Sequence, residues 1–171
     1  AGKPAAPAAP IPLPAALPGG GVAGTLMRHA TGAPAMPMDN DPGAAMRQAA
    51  NYLQSGQLDL AARHLQVLLQ GNPNDPQAMQ LLGVVYSEQG EHARALELLR
   101  GAVGLAPDFT EALHNLGLVL ISMAEFDEAA AALRKVIEVE PGAADAWLNL
   151  GNAERGMGRF DEAAKAFAKA A

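Results

Sequence analysis

The sequence predicts an all-α fold, a solenoid of stacked two-helix units that follows an extended leader. Three observations carry this. The residues from Pro42 onward repeat every 34 positions: in four segments starting at Pro42, Pro76, Thr110 and Ala144, place 8 reads Ala49, Gly83, Gly117 and Gly151. Place 20 reads Ala61, Ala95, Ala129 and Ala163, and place 32 reads Pro73, Pro107 and Pro141. Residues 1–41, by contrast, have no such period and are rich in Ala, Pro and Gly. A period of this length marks a stack of units that bury their faces on each other rather than one closed core.

The leader comes first. Between Ala1 and Pro18 a proline recurs every two to four residues, which fixes φ, removes N–H donors and favours polyproline II segments. Gly19, Gly20 and Gly21 then predict a joint, and Thr25 to Arg28 a short helical turn. The segment reads either as a semi-rigid or disordered leader or as a docking strand, with Ile11, Leu13 and Leu17, or Leu26 and Met27, as apolar anchors. Its prolines and single early Lys3 argue against an intact signal peptide. The first residue is Ala1 rather than Met, which fits Met removal, signal cleavage or trimming. A cytoplasmic location is expected, with the periplasm after signal cleavage as the alternative.

Within each unit, apolar places 4, 7, 8 and 11 follow the i, i+3, i+4, i+7 spacing of one helix face, and places 20, 24 and 27 do the same for a second helix. The expected helices are 42–55, 58–70, 76–89, 92–105, 110–123, 126–139, 144–157 and 160–171. Small residues at places 8 and 20 let paired helices approach closely. Gly56, Gly90 and Gly158 mark the turn between them, where φ > 0 is often needed. Ala124 holds that place in the third unit, so a different turn is expected there. Proline at place 32 stops each second helix. Asp41-Pro42 and Asp75-Pro76 predict an N-cap followed by Pro at the first helical position.

These positions resemble the tetratricopeptide repeat (TPR) family, which favours Trp, Leu, Gly and Tyr at places 4, 7, 8 and 11. It favours Ala, a large apolar residue, Ala and Pro at places 20, 24, 27 and 32. The second unit supplies Met79, Leu82, Gly83, Tyr86, Ala95, Leu99, Ala102 and Pro107; the third supplies Leu113, Leu116, Gly117, Leu120, Ala129, Leu133, Val136 and Pro141. The fourth has Trp147, Leu150, Gly151, Ala163, Phe167 and Ala170. The first is weak at Ala45, Gln48 and Ala49 but recovers at Tyr52, Ala61, Leu65 and Pro73. The resemblance implies a right-handed superhelix of units 42–75, 76–109, 110–143 and 144–171, the last incomplete. It also implies a protein- or peptide-binding scaffold without catalytic activity or cofactor.

In the family the concave surface is lined by places 2, 5, 6, 9, 12 and 13. That implies a groove of Met46, Ala50 and Leu53 in the first unit and Gln80, Val84 and Ser87 in the second. The third supplies His114, Asn115, Leu118 and Ile121, and the fourth Asn149, Asn152 and Arg155. Co-chaperone members grip a carboxylate with Lys, Arg and Asn at places 2, 5, 6 and 9. Here such places hold Met46, Ala50, Leu81, Glu111 and Asn115, so the cations of that clamp are missing. The repeats of O-linked N-acetylglucosamine transferase carry an Asn ladder at place 6. Asn115 and Asn149 match it, while Leu81 and Arg47 do not. An amide can donate and accept at once, which suits a peptide backbone.

Other chemistries find little support. The repeats hold 10 Lys+Arg against 16 Asp+Glu, an acidic balance that argues against nucleic acid and anionic membrane surfaces. There is no Cys, and no apolar run approaches the roughly 20 residues that span a bilayer. His29, His64, His92 and His114 form no i, i+4 pair and read as partly exposed helix residues. Asp127 with Glu128, and Asp161 with Glu162, fall where carboxylates favour the helix dipole. Gly19, Gly20, Gly21 and Gly24 lack the strand and Lys-Ser/Thr pair of a phosphate loop.

The fourth unit stops at place 28, leaving the apolar face of the last helix without a following unit. The expectation is either a longer polypeptide, for instance an enzyme of glycosyltransferase or sulfotransferase type with this array as its recognition module, or cover by another molecule. Self-association is expected to run through that helix or through the leader, which is itself a candidate groove ligand in cis or from a neighbour.

Overall fold

The computed structural model describes residues 42–171, and the readings made for the leader, together with the Asp41 cap, lie outside them. Eight helices follow in order: α1 (Pro42–Gln54), α2 (Leu58–Gly71), α3 (Pro76–Glu88), α4 (His92–Leu105), α5 (Thr110–Ser122), α6 (Phe126–Val139), α7 (Ala144–Gly156) and α8 (Phe160–Ala170). Among the described residues there is no strand. Each boundary lies within a residue or so of its expected place, because the 34-residue pattern carries its own stop signals.

Each unit is an antiparallel helix pair closed by small residues. Ala61, Ala95, Ala129 and Ala163 are buried, and Leu65, Leu99 and Leu133 are completely so. Each fully buried Leu contributes roughly 2 kcal/mol of hydrophobic stabilisation. A Cβ on Gly83 would lie 2.8 Å from Leu99 Cγ, and one on Gly117 2.8 Å from Leu133 Cγ. In the second and third units the leucine at place 24 thus occupies the space a β-carbon at place 8 would need, whereas in the first unit Ala49 and Leu65 are accommodated together, both fully buried.

All four turns inside the units are built alike. The N–H at place 16 donates to the carbonyl at place 11: Gln57 to Tyr52 at 2.8 Å, Glu91 to Tyr86 at 2.8 Å, Glu125 to Leu120 at 2.8 Å and Arg159 to Glu154 at 2.9 Å. The N–H at place 15 donates to place 12, the paired bonds of a Schellman C-cap. The third turn was expected to differ and does not. Ala124 adopts φ 61°, in the same left-handed region as Gly56, Gly90 and Gly158. The helix packing on both sides holds the turn, and alanine accepts the strain.

Between units, α3 begins as expected. Asp75 caps it, its Oδ1 accepting from the N–H groups of Gln77 and Ala78, each at 3.0 Å, with Pro76 at the first helical position. The later first helices start after Phe109 and Ala143, which offer no side-chain cap.

The stacking is layered. Neighbouring first helices, α1 with α3, α3 with α5 and α5 with α7, pack directly on one another. The second helices α2, α4, α6 and α8 pack on first helices of their own and adjoining units, and their backbones do not approach each other. The inner row of first helices is thus drawn together, and the outer row of second helices is spaced apart.

Candidate concave groove

The expected groove residues lie on the first helices α1, α3, α5 and α7. Leu118 on α5 is 38% exposed, large for an apolar side chain mid-helix, and Val84 on α3 and Ile121 on α5 are half-buried. Met46, Ala50 and Leu53 on α1 and Ser87 on α3 are half-buried too. Gln80 is only 8% exposed and offers a ligand little surface.

The amide-rich end is tied together in a way the repeat pattern did not reveal. The Asn149 side-chain amide nitrogen lies 3.0 Å from His114 Nε2, a hydrogen bond that joins α7 to α5. Asn152 Oδ1 accepts from Arg155 Nη2 at 3.2 Å. Asn115 is half-buried on α5, and its side-chain amide can both donate and accept.

The outer row differs from junction to junction. Between the first two units, Gln66 and Arg94 both donate to the Tyr86 hydroxyl, at 2.8 and 2.7 Å. Between the next two, Arg100 on α4 bridges to Glu128 on α6 at 2.5 Å. At the last junction the equivalent Arg134 turns down to Glu154 on α7, and Arg159 reaches the same carboxylate at 3.5 Å. Glu162 pairs with Lys165 on its own helix at 2.8 Å, a bond that raises the lysine's pKa from its ordinary value. Arg159, at the head of α8, also reaches Asp127 on α6 at 3.3 Å, and a recess of about 530 Å³ beside them is lined by Trp147, Leu150, Ile137 and Ala166 among others. The Trp147 indole N–H donates to the Pro141 carbonyl at 2.9 Å. Glu154 is buried at place 11, where the first two units have tyrosine, and the repeat pattern gives no sign of it.

Among the described residues no three His, Asp or Glu side chains gather as a metal site would require, and no helix is long and apolar enough to cross a membrane.

Family models described as tetratricopeptide repeat match residues 52–120, 88–138 and 114–171. The chain belongs to the tetratricopeptide repeat family. A crystal structure of MamA protein superposes on it with a TM-score of 0.71 at 30% identity, over 77% of this chain and 72% of that one. A second MamA crystal structure gives the same score and identity, over 77% of both chains. MamA from Desulfovibrio magneticus RS-1, 24% identical, shares the fold with a TM-score of 0.70 over 75% of this chain and 73% of that one. No curated protein matches the sequence. Tetratricopeptide repeats bind protein partners, and the array of α1 to α8 is a protein-interaction scaffold of that kind.

Proposed function

We propose that the scaffold holds an extended or helical peptide segment of a partner protein in the concave groove. The observation that carries this reading is the exposed Leu118, which shares the first-helix row with the half-buried Val84 and Ile121 and lies one helical turn from Asn115. Apolar side chains of the segment would pack on Val84, Leu118 and Ile121. Asn115 would pair with its backbone, and Asn149 and Asn152 would join by exchanging the internal bonds they now make to His114 and Arg155. The missing cations at the clamp places favour an internal peptide segment over a free C-terminal carboxylate. The reading assigns no catalytic step and no cofactor to the repeats.

The test is selection of short random peptides displayed on phage against the full chain, followed by amide shift mapping of a selected peptide. Shifts on the inner faces of α3, α5 and α7, lost in Leu118→Glu, are expected. Shifts confined to α2, α4, α6 and α8 would remove the groove from the account.

A further inference from the structure

The junctions between units share a triangle of places: place 25 of one unit, and places 11 and 19 of the next. The residue at place 11 decides how the triangle closes. At the first junction Gln66 at place 25 and Arg94 at place 19 both donate to the Tyr86 hydroxyl at place 11, at 2.8 and 2.7 Å. At the second, place 11 is Leu120, 1% exposed and without a side-chain acceptor. Arg100 at place 25 then reaches across from α4 to Glu128 at place 19 on α6, at 2.5 Å. The third junction carries the same arginine and the same glutamate at places 25 and 19, Arg134 and Glu162, yet the two are not joined. Place 11 there is the buried Glu154, which holds Arg134, and Glu162 turns to Lys165 at 2.8 Å.

Arg134 thus has two acceptors within reach. Glu154 is one. Glu162 is the other, at the separation that Arg100 and Glu128 span with the same two side chains. Arg134 on α6 and Glu162 on α8 both line the recess, together with Trp147 of α7. A bond between them would cross the recess and shield the indole. We infer that Arg134 is a clasp with two positions: on Glu154 it leaves the recess open, and on Glu162 it bridges α6 to α8 and closes it. Two features let it exchange. Arg159 lies 3.5 Å from the same Glu154 carboxylate, so the buried charge keeps a partner when Arg134 leaves. The Glu162–Lys165 bond joins two side chains that are each more than half exposed, a kind of pair that contributes little and is readily given up. The open position dominates in this chain, because a carboxylate buried at Glu154 depends on its partners more than an exposed one at Glu162 does. The charge at Glu154 is therefore what keeps the recess accessible.

The test is acrylamide quenching of the full chain, in which Trp147 is the sole tryptophan, with circular dichroism to check helicity. Glu154→Leu copies place 11 of the third unit and takes away the buried acceptor. At low salt its quenching constant is expected to fall about twofold below the parent's, as Arg134 moves to Glu162. Raising NaCl to about 1 M screens that exposed pair and is expected to restore the quenching. Glu154→Leu combined with Glu162→Gln is expected to be quenched like the parent, and Glu162→Gln alone to change nothing. Glu154→Met gives the same reading should the leucine variant lose helicity. A helical Glu154→Leu chain quenched like the parent would overturn the clasp. So would protection that survives both salt and the loss of Glu162, because packing of the new side chain, and not Arg134, would then cover Trp147.

Discussion

Arg134 on α6 donates to the carboxylate of Glu154 on α7, twenty residues further along, and that carboxylate belongs to a residue only 2% exposed. Gln66 and Tyr86 stand at the same two places one junction from the start, with the same twenty-residue separation. The scaffold thus closes equivalent junctions with two chemistries: a neutral phenol bonded by an amide and an arginine, and a buried carboxylate held by two arginines.

The buried carboxylate makes the last junction sensitive to its partners. Arg134→Ala is expected to destabilise the α6–α7 junction by about 2 kcal/mol, less than for a fully buried pair because Arg134 is half-exposed and Arg159 remains. Arg134→Gln combined with Glu154→Tyr copies the Gln66–Tyr86 pair of the first junction and is expected to recover part of the loss. Urea denaturation with amide exchange on α7 measures both. Equal loss in the single and double variants would show that the carboxylate does not govern the junction.

The strained turn at Ala124 predicts a gain. The left-handed conformation costs an alanine about 1–2 kcal/mol, part of which glycine gives back through its more flexible unfolded chain. Ala124→Gly is therefore expected to stabilise the protein by about 0.5–1 kcal/mol, read as a higher urea midpoint with an unchanged slope. Gly90→Ala, at the same place one unit earlier with φ 77°, is expected to shift the midpoint the other way.

Much of this architecture is legible in the sequence because the signals recur in register: Gly or Ala at place 8, Ala at place 20 and Pro at place 32 fix the helices and their pairing. What escaped is what departs from the repeat. Glu154 sits where a hydrophobic or aromatic residue is expected, and only Arg134, at the spacing that joins Gln66 to Tyr86, gives the signal that it is buried and paired. The Asn149–His114 bond joins place 6 of one unit to place 5 of the preceding one, a contact that reading each unit by itself cannot reveal. Ala124 was misread because residue type alone suggested another turn, whereas the helices it joins dictate the backbone.

Close packing at place 8 gives a graded prediction. Gly117→Ala places a methyl 2.8 Å from Leu133 Cγ, a side chain with no exposed surface and little room to yield. Gly151→Ala meets Phe167 Cε1 at 2.4 Å, but Phe167 lies half-buried on the last helix and can swing aside. The shorter contact is thus expected to be the cheaper one. Gly117→Ala should cost about 1–2 kcal/mol after the helix-propensity gain of alanine, and Gly151→Ala close to nothing. Thermal midpoints of the two variants, measured side by side, decide the order.

The capping difference among first helices points to a site for improvement. Asp75 satisfies two N–H groups of α3, so Asp75→Ala is expected to cost about 1 kcal/mol. Ala143 precedes α7 at the equivalent place, with ψ 89° and φ −71°, and supplies no side-chain acceptor. Ala143 is half-buried, and a short aspartate there can turn its carboxylate toward the free N–H groups of the first turn, where the helix dipole also favours negative charge. Ala143→Asp is therefore expected to stabilise the fourth unit by about 0.5–1 kcal/mol, seen as slower amide exchange along α7. A loss of exchange protection in α7 would mean that the carboxylate stays turned away from the helix and that burial at Ala143 outweighs the cap.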